Sequence, residues 1–204
     1  VDSKNSSDHR KSQKVLFVAR MEIGQKRPDL MLSIWEMIVS NHRDWELIFL
    51  GDGPDLNKLK AYVNELKIEN VRFMGFVDPK PYYQDASIIC LTSEYEGQGL
   101  ALLEGMQFGV VPVSFHKWES IKDIIIDGKT GFLVKNGDIH EYAAKLENLM
   151  IDSSLRERLS KEAQVHSNRF LIGKIGPLWL DLFQKLLREK NTLDLKLNQQ
   201  RIIK

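Results

Sequence analysis

The stretch Thr92-Ser93-Glu94-Tyr95-Glu96-Gly97-Gln98-Gly99-Leu100-Ala101-Leu102-Leu103-Glu104 carries the residues best suited to chemistry. Gly97 and Gly99 stand where the apolar run Ser87–Leu91 gives way to a helical pattern from about Gly99 to Phe108. Glycines at such a junction let backbone N–H groups come close to a ligand. The helix behind them offers unpaired donors and the positive end of its dipole, which suits an anion. The same glycines could equally serve tight packing. Glu104 narrows the reading. Its helix looks apolar nearly all round, through Leu100, Ala101, Leu102, Leu103, Met106 and Phe108, and is expected to be buried. A carboxylate there needs a partner. It leans toward the helix N-terminus, over Leu100, where it would repel phosphate but accept hydrogen bonds from sugar hydroxyls. The plainer alternative is a buried Glu that caps local backbone or meets a nearby cation. Glu96 lies in the loop itself, and its plainer alternative is an exposed acid favoured by the dipole. Two carboxylates around a helix N-terminus suit a ligand with an anionic middle and hydroxylated ends, the shape of a nucleotide sugar.

A second loop supplies cations. Arg20 directly follows the apolar run Val15–Ala19, and Lys26 precedes a helical pattern opened by Pro28. Both would stand over the carboxyl edge of a sheet, suited to phosphate. Taken alone, they read as a solvated basic loop.

These loops need strands to carry them. Short apolar runs at Val15–Ala19, Trp45–Leu50, Val71–Met74, Ser87–Leu91, Val110–Ser114 and Phe132–Val134 read as strands. Pro112 argues against a central place for the fifth. Helical patterns lie between them, at Pro28–Val39, at Leu56 to Leu66 and at Gly99–Phe108, and from Asp138 onward the chain reads as helical. The alternation predicts an α/β fold, a doubly wound parallel sheet with helices on both faces and a helical C-terminus. Ligands of such sheets sit at the carboxyl ends of the strands. The loops after Ala19, Leu50, Met74, Leu91 and Ser114 are therefore the ones to examine.

Composition bounds the partners. Among 204 residues, 29 Lys+Arg face 28 Asp+Glu, a net charge of +1, which speaks against nucleic acid held by bulk charge. Cys90 is the single cysteine, so neither an internal disulfide framework nor a cysteine-based zinc site is available. No apolar run approaches the ~18–20 residues of a membrane span. No secretory leader opens the sequence, and a reducing, cytoplasmic setting is expected. Residues 1–14 read as a polar linker that starts at Val1 rather than Met, so an upstream portion is expected to be missing. Residues 15–190 read as one folded domain and 191–204 as a basic, loose tail. Cys90, Trp35, Trp45 and Trp179 are expected to be packing residues, and His116 a surface one.

Several stretches together resemble the C-terminal, donor-binding half of glycosyltransferase family 4, retaining enzymes of the GT-B fold. Glu96-Gly97-Gln98-Gly99-Leu100-Ala101-Leu102-Leu103-Glu104 is similar to that family's E-x7-E signature. Arg20 with Lys26, Leu50-Gly51-Asp52-Gly53-Pro54, Val71 to Val77 and Ile125 to Val134 agree with it as well. The resemblance covers about Val15 to Phe170. It implies that Arg20 and Lys26 hold the donor diphosphate, with backbone N–H groups of Gly99, Leu100 and Ala101. It implies Glu96 on hydroxyls of the transferred sugar, Glu104 on the ribose, and Phe76 and Val77 flanking the base. Sugar transfer would proceed with retention, from a UDP-sugar to a polysaccharide or glycolipid, with no metal and no cofactor. The acceptor would be held by an N-terminal half. A sugar-nucleotide epimerase and a non-catalytic partner subunit of the same fold are the rival readings. Three places depart from the family: Gln98 replaces an aromatic residue, Arg27 stands where Gly is frequent, and Phe115-His116-Lys117-Trp118-Glu119 lacks the usual glycines.

A last pattern lies at the C-terminus. Ile175, Leu178, Trp179, Leu182, Phe183, Leu186 and Leu187 form an apolar helical stripe, expected to pack on the domain or its missing half. From Lys185 to Lys204, six basic residues face two acidic ones, a local +4. Such a tail is expected to have weak, salt-sensitive affinity for the inner face of an anionic membrane.

Overall fold

The computed structural model describes residues 11–202, with side chains through residue 190. It divides into two units, the first ending at Ser167 and the second starting at Asn168.

The first unit is built on β1 (Ser12–Val18), β2 (Glu46–Leu50), β3 (Val71–Phe73), β4 (Ala86–Leu91), β5 (Val111–His116) and β6 (Phe132–Lys135). They form one sheet in the order β3-β2-β1-β4-β5-β6, with every neighbouring pair parallel. The connections hold α1 (Pro28–Ile38), α2 (Leu56–Leu66), α3 (Lys80–Asp85), α4 (Leu100–Gln107) and α5 (Ile121–Ile124). After β6 come α6 (Ile139–Ile151) and α7 (Ser153–Ser167). The expected doubly wound parallel sheet is present.

The apolar runs became strands because both of their faces are covered. Val15, Phe17, Phe49, Cys90 and Val113 share one buried cluster with Met31 and Trp35 of α1 and Tyr142 and Leu146 of α6. Leu16, Ile48 and Ile89 alternate with them and are as deeply buried. α4 covers that second face: a Cβ added at Gly105 would sit 3.3 Å from Ile89. Trp35, Trp45 and Cys90 are core residues, as their patterns imply.

Four details differ from the sequence expectations. β1 begins at Ser12, inside the stretch read as linker. Its start is held by Ser87 Oγ donating to Ser12 O at 2.6 Å and by a Lys14–Asp85 ion pair at 2.6 Å. β5 is a central strand despite Pro112, lying between β4 and β6. Gly131 makes this possible, since a Cβ there would fall 2.3 Å from Pro112 O. The short helices α3 and α5 went unforeseen, their few residues being too brief for a 3.6-residue period to show. Finally, α4 is not buried all round. Leu102, Leu103 and Met106 face the sheet, whereas Leu100 is 60% exposed and Glu104 lies on the same open side.

The second unit holds a 3-10 turn at Asn168–Phe170 and α8 (Ile172–Ile202), with Pro177 inside the helix. α8 runs on through residues 191–202, where the sequence suggests a loose tail. Trp179 is exposed rather than core, and its ring lies 5.6 Å from that of Phe183. Leu178, Leu182, Leu186 and Leu187 of the stripe are exposed too. Among the described residues, no helix is long and apolar enough to cross a membrane.

Candidate functional site

Three loops meet at the carboxyl ends of β1, β2 and β3. The chain leaves β2 through Gly51-Asp52-Gly53 and presses against the loop after β1. Ala19 N donates to Leu50 O, Met21 N to Asp52 O and Asp55 N to Met21 O, each within 3.1 Å. The approach is so close that a Cβ at Gly51, whose φ is +135°, would fall 2.0 Å from Ala19 O. Gly51 N also donates to Gly75 O at 2.7 Å, which joins the loop after β3. Together these loops enclose a cavity of about 760 Å³, lined by Val18, Ala19, Arg20, Leu50, Gly51, Asp52 and Phe76 to Pro79. Most of its wall is apolar. Phe76 is 90% exposed at its rim, and the Arg20 side chain, 64% exposed, pairs with Glu22 at 3.3 Å.

On the other side of β1 the edge is closed by polar contacts. Lys26 Nζ donates to Glu96 Oε1 at 2.7 Å, with the two side chains 18% and 12% exposed. Ser93 Oγ donates to the same oxygen at 2.7 Å. The backbone beneath them is zipped: Glu94 N donates to Gln25 O at 2.7 Å, and the buried Thr92 hydroxyl to Arg27 O at 2.7 Å. Arg27 caps α1 in the left-handed region, φ 52°. This is the position where the resemblance expects Gly, and the conformation explains why. Its guanidinium pairs with Asp29 at 3.0 Å and approaches Glu94 at 3.9 Å. Lys117, from the loop after β5, pairs with Glu94 as well, and Ser120 Oγ donates to Gly97 O at 3.1 Å.

α4 starts at Leu100 behind Gly99, whose φ of 68° makes the turn, and no side chain caps this N-terminus. Its open N–H groups therefore face the edge without an internal acceptor from a side chain. Glu104 Oε2, one turn on, accepts from Tyr83 Oη of α3 at 3.0 Å. Burial, and then the charge and hydrogen bond of Glu104, raise the Tyr83 pKa well above the usual tyrosine value. Glu104 was expected to be buried and to need a partner, local backbone or a nearby cation in the plainer alternative; it is instead exposed, and its partner is the Tyr83 hydroxyl.

The structure thus groups the expected residues in three places. Arg20, Phe76 and Val77 border the cavity. Lys26 and Glu96 bind each other. Gly99, Leu100, Ala101 and Glu104 occupy the first turns of α4. The loop after β1 is common to the first two groups. Sequence reasoning missed Gly51, Asp52, Asp78 and Pro79 as cavity residues. The Gly-Asp-Gly-Pro run after a strand was the available signal. Thr92 was also missed; a buried hydroxyl at a strand end gives no sequence pattern of its own. Among the described residues, no group of three or more His, Cys, Asp or Glu side chains could hold a metal ion.

Residues 2–166 match the family described as glycosyl transferases group 1. An uncharacterized glycosyltransferase of Haemophilus influenzae is 31% identical over 153 residues, 74% of this chain and 43% of the relative. A Campylobacter jejuni relative is 29% identical, over 88% of this chain and 50% of its own length. Its name is GalNAc-alpha-(1->4)-GalNAc-alpha-(1->3)-diNAcBac-PP-undecaprenol alpha-1,4-N-acetyl-D-galactosaminyltransferase. Among solved structures, a variant of S. aureus TarM in complex with Fondaparinux, alpha-GlcNAc-glycerol and UDP is similar. It has a TM-score of 0.81 and 27% identity, over 90% of this chain and 38% of that one. The chain thus spans half or less of the length of these proteins.

Proposed function

The chain belongs to the glycosyl transferases group 1 family, and from that premise we propose that its edge binds the nucleotide-sugar donor of a retaining transfer. The observation that carries this reading is the loop after β1, which brings Arg20 to the rim of the apolar cavity and Lys26 to Glu96. The cavity takes the base, with Phe76 and Val77 beside it. Its largely apolar wall suits a flat ring. Arg20, Lys26 and the uncapped start of α4, with the N–H groups of Leu100 and Ala101 behind Gly99, take the diphosphate. Glu104 takes ribose hydroxyls and Glu96 those of the sugar. UDP in the complex of the similar S. aureus structure supports a UDP-sugar. The lipid-linked acceptor in the name of the C. jejuni relative supports a glycolipid or polysaccharide acceptor.

In the transfer, the bond from the anomeric carbon to the β-phosphate oxygen breaks, and its electron pair leaves on the diphosphate. The acceptor hydroxyl oxygen forms the new bond, and its proton passes to the leaving phosphate. The chain's contribution is electrostatic: two cations and a helix N-terminus stand where negative charge grows. They make a metal ion unnecessary in this reading. Retention follows from attack on the face the diphosphate leaves; for an α-configured donor, the alpha linkage in the name of the C. jejuni relative supports it.

Calorimetric titration with UDP, GDP and ADP, alone and as their sugars, tests the proposal. A uridine nucleotide should bind, and EDTA should not change its affinity. Silence toward every nucleotide would overturn the donor reading and favour a non-catalytic subunit. A large loss of affinity with EDTA would overturn the metal-free part. The exposed apolar stripe of α8, with the basic surplus of residues 185–204, supports a weak membrane contact as well. Co-sedimentation with anionic vesicles should fall sharply at high salt, and no binding at low salt would remove it.

A further inference from the structure

The donor reading gives Lys26 to phosphate and Glu96 to sugar hydroxyls, yet the two groups hold each other at 2.7 Å. Both are largely withdrawn from water. A lysine with a carboxylate on it presents little net charge to an incoming anion. Glu96 in turn accepts two bonds at one oxygen, from Lys26 and from Ser93. Its other oxygen, Oε2, accepts no hydrogen bond among the described residues, so it is open to a hydroxyl donor.

The backbone cannot relieve this conflict. The loops that carry the two side chains are joined by Glu94 N to Gln25 O and by the Thr92 hydroxyl to Arg27 O. Glu94 further links Arg27 to Lys117. Only the side chains of Lys26 and Glu96 are left to exchange partners.

We infer that the Lys26–Glu96 pair makes the site discriminate between the intact donor and the spent nucleoside diphosphate; this rests on the donor reading above. A diphosphate draws Lys26 away from Glu96. When a sugar is attached, its hydroxyls hydrogen-bond the released carboxylate and replace the lost cation. When the sugar has gone, Glu96 keeps only the Ser93 hydroxyl and stands beside a polyanion in a poorly hydrated place. The spent diphosphate is therefore held less tightly than the donor and departs. Ser93 steadies the carboxylate during the exchange and is a positioning residue.

The test is calorimetric titration of the parent chain and Glu96→Gln with UDP, UDP-N-acetylglucosamine and inorganic pyrophosphate. Glutamine keeps the shape and removes the charge. UDP and pyrophosphate should each bind the variant about tenfold tighter, the scale of one charge-assisted bond. The parent's preference for the sugar nucleotide over UDP should shrink. Equal or weaker binding of UDP and pyrophosphate by the variant would overturn the inference. Should the parent bind pyrophosphate but no nucleotide, tightening by Glu96→Gln would keep the coupling and discard the nucleotide reading. Circular dichroism checks that the variant folds. If it does not, Ser93→Ala decides: it should weaken UDP more than UDP-N-acetylglucosamine, and an equal effect on both would overturn the inference.

Discussion

The two sides of β1 meet the same sheet edge in opposite ways. Toward β2 and β3, the edge is open, largely apolar and shaped by backbone, with Gly51 folded against Ala19 O and Phe76 left at the rim. Toward β4 and β5, the edge is filled by charged side chains that satisfy one another, Lys26 with Glu96 and Arg27 and Lys117 with Glu94. An apolar cavity can stay open at the modest cost of wetting apolar surface, because it needs no polar partner to hold its shape. A polar site cannot stay empty in the same way, since bare buried charges are costly. It fills itself, and a ligand must then compete with what it replaces. Preformed shape on one side and exchangeable charge on the other are two solutions to the same problem.

The largest effect should come from breaking the open side. Gly51→Ala sets a Cβ against Ala19 O at a backbone angle of +135°. It should cost about 3–5 kcal/mol of stability, the range of severe backbone conflicts. Denaturant unfolding measures it, and a loss under about 1 kcal/mol would mean that the loops part easily.

The next comparison separates two cations of one loop. Lys26→Met leaves a nearly buried Glu96 without its cation, and should lower stability by about 2 kcal/mol. Arg20→Ala removes an exposed side chain and should change stability by less than about 0.5 kcal/mol. Both should weaken UDP binding about tenfold. Equal stability losses would erase the contrast between the sides.

Tyr83 sharpens the picture where α3 meets α4. Its pKa is raised in the folded chain, first by burial and then by Glu104. The folded state therefore keeps a phenolic proton that the unfolded state releases near pH ~10. Stability from this group is complete below that pH and is lost as pH rises above it. Absorbance titration should show Tyr83 and the fully buried Tyr142 both ionising late, and Glu104→Gln should bring Tyr83 alone earlier. No change with Glu104→Gln would mean that burial alone sets the shift.

The smallest effect should be Arg27→Gly. It relieves a left-handed conformation worth about 1–2 kcal/mol and gives up half-exposed ion pairs worth up to about 1 kcal/mol. Thermal unfolding should find the variant equal to the parent or slightly more stable. A clear loss would show that the Arg27–Glu94 contact holds the zipped side together.

Much of this was legible in the sequence, for reasons the residues make plain. Apolar runs such as Val15 to Val18 and Ile88 to Leu91 announce strands covered on both faces, and Gly99 announces the turn into α4. Arg20, Phe76 and Val77 could be assigned to one edge because parallel strands send every such loop there. The Lys26–Glu96 pair was not legible: seventy positions separate its partners, and each alone looked ready for a ligand. Glu104 was misjudged because a helix as short as α4 does not reveal which arc is covered. Arg27 was marked only as a departure from a pattern, and its φ supplied the physical meaning.

The strand order has a consequence for how such a protein can change. Under the donor reading, the residues that meet the base come from one continuous stretch, Val18 to Pro79, and those that meet the sugar from a later one, Thr92 to Ser120. The sheet places them on either side of β1. A crossover between genes at α3 would therefore exchange the base contacts while leaving Glu96 in place. Under that reading the base contacts can be exchanged apart from Glu96, whereas the ribose and phosphate contacts of Glu104, Leu100 and Ala101 travel with the sugar stretch, and the Lys26–Glu96 pair must be matched across the join.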